Sequence, residues 1–186
     1  FSFKPGYRET LWHHNCVAIG ASAGFLEPLE ASALVMIEMS ANHLAEQMPV
    51  KAEQLKPASR QFYQLFSQRW QRAVEFLKLH YVLSKRRQNA YWQQMTAVET
   101  ASQQLRVWLT LWQSRMPLGS DFPLREELFP AASFQYVLYG MTQSMQTSTH
   151  YNPQRLHRAH EQLRHITHQQ LNGLPTNREL LSRLSD

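Results

Sequence analysis

Two carboxylates and a run of backbone amides hold the chemistry that this sequence offers. Glu27 and Glu30 flank Pro28 and Leu29 near the end of the stretch NCVAIGASAGFLEPLEAS, which runs from Asn15 to Ser32. An apolar helical pattern starts just after Glu30, so its first unpaired N–H groups fall near Ala31 to Ala33 and form a ready seat for an anion. Glu30 beside that seat reads in two ways: as a helix cap in a favourable dipole, or as a fixed proton acceptor next to a reacting atom. Spacing alone leaves both open. Upstream, Gly20 and Gly24 let the backbone bend and approach a flat ligand closely.

The elements that must position these groups are mostly helices. Cys16 to Ile19 is a continuous apolar run bounded by Gly20, which predicts one short strand buried on both faces. After Pro28 the helix runs to about Gln47, with Leu34, Ile37, Ala41 and Leu44 at helical spacing, and Pro49 and Pro57 bracket a linker. The next helix spans about Ser59 to Leu83; its stripe of Phe62, Phe66, Trp70, Val74, Leu77 and Tyr81 reads as core. Lys85 to Gln88 interrupts, and a helix follows from Thr96 to Arg115, ended by Pro117. Leu118 to Pro130 reads as a surface loop and Ala132 to Met141 as a short aromatic helix. Asn152 and Pro153 open a helix over Arg155 to Leu171, and Thr176 with Glu179 forms a capping box for the last one. The fold class is mainly α.

Composition narrows the function classes. With 186 residues and 43% hydrophobic content, the chain buries a sizeable core and is no disordered tail. Its net charge of +5 is spread along the sequence without a long basic stripe, which argues against nucleic acid as a partner. No apolar run has the length to cross a bilayer, and no signal peptide is visible, so no membrane partner is expected. The single cysteine, Cys16, excludes a disulfide framework and fits a reducing cytoplasm. His157 with His160 and His165 with His168 are spaced to share helix faces, but no carboxylate or cysteine partner has convincing ligand spacing. A solvated polar helix is the reading there, with no metal.

Three ordered blocks resemble the flavin-dependent tryptophan halogenases. Trp12 through Ser32 is similar to that family's WxxNCVAIGLxxGFLEPLEST hallmark. Phe76 to Trp92, FLKLHYVLSKRRQNAYW, resembles a second family segment, and Ser133 to Met141, SFQYVLYGM, is similar to the aromatic helix that helps wall the substrate pocket. The resemblance implies the C-terminal portion of an FAD-dependent monooxygenase-like α/β flavoprotein. Residues 1–48 would finish the flavin-binding domain, and residues 49–186 would form a helical region walling the substrate pocket. The glycine-rich dinucleotide turn and the W-x-W-x-I-P motif, which lie upstream in full-length relatives, are not found in these residues, so the piece alone is expected to be inactive.

The resemblance also assigns roles. Glu30 becomes the catalytic carboxylate, which orients the oxidant or accepts the ring proton, and Glu27 a structural acceptor for nearby backbone. The amides of Ser32 and Ala33 hold chloride or bromide; a positive φ at Ala33 would be strained, because this chain has alanine there. Ala21 and Leu34 touch the flavin, FAD in its reduced form FADH2. Phe134, Gln135 and Tyr136, with Tyr139 nearby, line a pocket for an indole-like aromatic. The expected tyrosine pair and amino-acid-reading acid are altered there, which argues against free tryptophan as the sole substrate. His80 is expected to be a hydrogen-bonded structural residue. A separate flavin reductase is implied as partner, and a homodimer is possible. Two other classes stay open: a flavin hydroxylase that makes no use of halide, and a non-enzymatic helical module.

Overall fold

The computed structural model describes residues 4–142 and 152–184. The chain divides into two units, Phe1–Gln146 and Thr147–Asp186. The boundary expected at 48/49 falls inside the first unit, between its first two helices.

The first unit opens with four very short strands, β1 (Gly6–Tyr7), β2 (Trp12–His13), β3 (Cys16–Val17) and β4 (Gly24–Phe25). They form two antiparallel ribbons, β1 with β4 and β2 with β3. The doubly buried strand expected over Cys16–Ile19 is therefore corrected to half of a hairpin, with Cys16 exposed at its rim. His14, at φ 51°, reverses the chain onto Trp12–His13. Gly20, at φ 58°, then turns it into a 3-10 turn, Gly20–Ser22, before a longer strand can form. Gly24 is required by close packing, since a Cβ there would lie 2.6 Å from Tyr7 Cβ and 2.8 Å from Tyr7 Cα. The close approach read from the two glycines is thus made by the chain itself: Tyr7 meets Gly24 and Ile37 meets Gly20.

Helices build the rest. α1 (Ser32–Gln47) has the expected extent, and α2 (Ala52–Leu83) is longer than expected. The linker between Pro49 and Pro57 shrinks because the Lys51 N–H donates to Gln54 Oε1 at 3.1 Å, an N-terminal cap that starts the helix early. Pro57 then lies in the second turn, where its missing N–H forfeits a single intrahelical bond. The single helix expected over Thr96–Arg115 is also corrected. α3 (Ala90–Thr96) ends first, a 3-10 turn covers Val98–Thr100, and α4 (Gln103–Leu111) starts afresh. Ser102 makes that break, its hydroxyl accepting the Leu105 N–H at 3.1 Å as an N-cap. α5 (Ala131–Met141) closes the first unit's helices.

α2 is the spine, about 48 Å long at 1.5 Å per residue. As far as Trp70 it buries Phe62, Phe66 and Trp70 with Leu11, Ala23 and Met36, which fastens the ribbons and α1. Its second half buries Ala73, Phe76 and Leu79 against Leu105, Trp108 and Trp112 of the α4 region and Phe134 and Leu138 of α5. The second unit holds α6 (Pro153–Gly173) and α7 (Asn177–Leu184). Asn152 Oδ1 caps α6 through the Gln154 N–H at 3.0 Å. The capping box before α7 forms as read, with the Thr176 N–H donating to Glu179 Oε2 and the Glu179 N–H to Thr176 Oγ1. Among the described residues no helix is long and apolar enough to cross a membrane.

Candidate active site

The loop that carries both carboxylates is fastened to the last turns of α2. Glu30 Oε1 lies 2.8 Å from His80 Nε2, and His80 Nδ1 lies 2.8 Å from the Phe76 carbonyl oxygen. One residue along, the Tyr81 phenol interacts with Glu27 and Tyr91. Burial, with Glu27 and Tyr91 adding to it, holds the Tyr81 phenol far above its ordinary range, so it stays a neutral donor. Glu27 therefore meets a side chain of α2, and not the nearby backbone it was expected to accept from. The Glu30 side chain keeps 33% exposure and that of His80 16%, so the carboxylate is anchored at one oxygen and open to its surroundings.

Between Glu30 and α1 the backbone takes a left-handed step. Ala31 has φ 48° and ψ 29° and offers no side-chain cap to the helix. An alanine in this region costs about 1–2 kcal/mol, which the surrounding packing sustains. The positive φ therefore falls at Ala31, and the first turn with Ser32 and Ala33 is regular helix. The N–H groups of that turn have no side-chain cap from Ala31, beside a carboxylate held in place from α2.

The residues assigned to a flat cofactor separate. Ala21 lines an open groove of about 610 Å³ together with Tyr7, Arg8, Gly24 and Phe25, along the β1–β4 ribbon. Leu34 is 76% exposed on the first turn of α1 and does not belong to that lining. On α5 the helical turn divides the assigned pocket residues in the same way. Phe134 is buried in the aromatic cluster with Phe76, Trp108 and Phe122. Tyr136, two positions on, is 85% exposed, and Tyr139 shares the exposed side. Gln135 Nε2 donates to the Pro117 carbonyl at 2.6 Å, which ties α5 to the turn after α4.

From the sequence, His80 is expected only as a structural residue and Tyr81 as part of the apolar stripe. The signal that would have paired them with Glu30 and Glu27 was the presence of both blocks in one chain. The helical histidines behave as surface groups: His157 Nε2 faces Glu161 Oε1 at 3.3 Å, and His168 Nδ1 contacts Asn172. Among the described residues, no three His, Cys, Asp or Glu side chains gather in a way that would hold a metal ion.

The family model described as Tryptophan halogenase matches residues 1–155. The crystal structure of a tryptophan halogenase from Shewanella frigidimarina NCIMB 400 aligns with a TM-score of 0.85 at 42% identity, covering 98% of this chain and 35% of that one. BrvH, a flavin-dependent halogenase from Brevundimonas sp. BAL3, aligns with a TM-score of 0.74 at 28% identity over 98% of this chain and 37% of its own. KtzR, a 7-chloro-L-tryptophan 6-halogenase from Kutzneria sp. (strain 744), is 31% identical over 139 residues, which are 74% of this chain and 26% of that protein. The chain spans about a quarter of the length of the curated relatives it matches. It is mainly helical, it shares the fold of flavin-dependent halogenases, and it belongs to the tryptophan halogenase family.

Proposed function

We propose that this chain supplies the catalytic carboxylate, the halide seat and part of the substrate cavity of a flavin-dependent halogenase, an oxidoreductase acting on an indole-like aromatic. The observation that carries this reading is Glu30, held at 2.8 Å by His80 and followed at once by the uncapped first turn of α1. Bound reduced FAD, with oxygen and halide, supplies the electrophilic halogen. The residues present fit such a group: Ala21 opens onto the groove beside the β1–β4 ribbon, and the amides at Ser32 and Ala33 are free of a side-chain cap and suit a halide. Leu34, exposed on the same turn, lies outside that groove and would meet the cofactor only at an apolar edge.

Glu30 then acts on the substrate. Its carboxylate stands close to the carbon being substituted, orients the oxidant there and accepts the proton that leaves the ring. Tyr136 and Tyr139 present aromatic faces from α5, with Phe134 anchoring that helix in the aromatic core and Gln135 fixing it through Pro117. The altered amino-acid clamp favours an indole-like ring other than free tryptophan alone. A separate flavin reductase supplies the reduced cofactor, and the protein works in the cytoplasm.

The test is a product assay on the full-length protein with FAD, a reductase, oxygen and either chloride or bromide, over a panel of indoles. Products with the isotope doublet of chlorine or bromine support the reading. Oxygen insertion without halogen in either salt would replace it with a hydroxylase.

A further inference from the structure

We propose that His80 is the positioning residue that makes Glu30 work through a single oxygen. This rests on the reading of Glu30 as the catalytic carboxylate, but the geometry that supports it is independent of any activity. A backbone carbonyl only accepts hydrogen bonds, so the Phe76 oxygen, 2.8 Å from His80 Nδ1, fixes the ring proton on Nδ1. Nε2 therefore faces Glu30 Oε1 at 2.8 Å. A lone pair on each atom at that distance would repel, so one proton lies between them and belongs to the pair. Oε1 is committed to the imidazole, and Oε2 is the oxygen left to meet the substrate or oxidant.

The scaffold around the imidazole makes this orientation rigid. Phe76 lies edge-on to the ring with centroids 5.0 Å apart, and its own ring stacks on Phe129 at 4.1 Å. Phe76 also belongs to the buried core of α2, so the carbonyl that selects the tautomer lies on a helix turn packed into that core. On the next residue, Tyr81 interacts with Glu27 at the other end of the loop. Two consecutive residues of α2 thus interact with the two glutamates, and the His80 contact sets which way the Glu30 carboxylate faces. When the ring proton leaves the substrate, the C–H electron pair returns to the aromatic ring and the proton goes to Oε2. The proton held between Oε1 and Nε2 stays in place, so the carboxylate does not rotate to receive it.

The experiment has two arms on the full-length protein. In the first, nitrogen-15 spectra of the histidine rings are compared between wild type and Glu30→Gln. The expected result is a His80 signal with a protonated Nδ1 in both, and an Nε2 resonance that shifts in Glu30→Gln alone. An unprotonated Nδ1, or an Nε2 unmoved by the substitution, would overturn the proposal whether or not the protein halogenates. In the second arm, His80→Asn and His80→Gln are assayed for kcat and KM. Asparagine places its amide near the Nδ1 position and loses the contact with Glu30, and kcat falls about tenfold or more with KM nearly constant. Glutamine reaches the Nε2 position, donates to Oε1 and restores most of kcat. Equal kcat in His80→Asn and wild type, or equal loss in both variants, would overturn the positioning role. A wild-type protein that binds flavin and shows the expected ring spectra, yet makes no halogenated product, would refute the proposed function and leave the pairing standing.

Discussion

Replacing Arg72 by methionine is expected to destabilise the protein strongly, and to do so less at low pH. The Arg72 guanidinium lies over the Trp108 ring at 4.4 Å and bonds two carboxylates, Glu75 at 2.6 Å and Glu127 at 3.3 Å. Glu75 is 2% exposed and also accepts from Ser102 at 2.9 Å and Gln71 at 3.3 Å. Burial pushes the Glu75 carboxyl above its usual range, and Arg72 is the largest influence holding it down. Removing one partner of a buried pair costs about 3–5 kcal/mol, since the remaining charge loses its compensation while staying out of water. At about 2–4 °C per kcal/mol for a protein of this size, the midpoint of thermal unfolding falls by roughly 6–20 °C. The sign of the pH effect follows from the raised carboxyl. A folded-state pKa above the unfolded value makes the group favour folding below the unfolded pKa, and that advantage is lost as pH rises through the folded pKa. Without Arg72 the folded value rises further, so the deficit of Arg72→Met is greatest near neutral pH and shrinks as pH falls toward the unfolded carboxylate range. Urea unfolding followed by tryptophan fluorescence, from pH 8 down to pH 5, measures it, and Trp108 beside the lesion is a suitable reporter. Adding Glu75→Gln to Arg72→Met should recover a large share of the loss. A deficit under about 1 kcal/mol at pH 8, or one that grows on acidification, would refute the argument.

Three further outcomes are expected. Glu30→Gln in the full-length protein keeps flavin binding and lowers halogenated product about tenfold or more; unchanged product formation would leave Glu30 only its structural contact with His80. Ala31→Gly relieves the left-handed alanine at φ 48° and, after the larger entropy of glycine in the unfolded chain, stabilises by up to about 1 kcal/mol. A lower melting temperature for that variant would show that the step carries no strain. Gly24→Ala forces a Cβ to within 2.6 Å of Tyr7 Cβ, so it should cost roughly 1–3 kcal/mol and speed hydrogen exchange at the Arg8 amide, which bonds the Ala23 carbonyl at 2.8 Å. Exchange at Arg8 as slow as in wild type would mean that β1 and β4 accommodate the methyl group without separating.

The sequence was most legible where a local signal and the burial pattern agreed. Asn152 and Pro153 mark the start of α6, and Thr176 with Glu179 marks that of α7, because each cap is complete within four residues. α1 and α5 were readable because apolar spacing and flanking residues bound them alike. Legibility failed where the deciding interaction was local but outvoted, or was not local at all. Helical spacing carried one helix through from Thr96 to Arg115, whereas the Ser102 hydroxyl caps α4 and separates it from the 3-10 turn before it. Cys16 to Ile19 carried hydrophobicity without a partner, and an apolar run this short does not say whether it will pair as a hairpin or lie inside a sheet. The candidate site belongs to the last class. Glu30 was visible from its place before a helix, yet its partner lies on another helix far along the chain, and no spacing rule connects them. What the sequence did carry was two blocks, one ending in the glutamates and one holding His80 and Tyr81. The fold shows why the two occur together: the second block is the surface that orients the first. A residue that looks structural in a motif, as His80 does, can therefore be the one that fixes the orientation of the carboxylate visible in another.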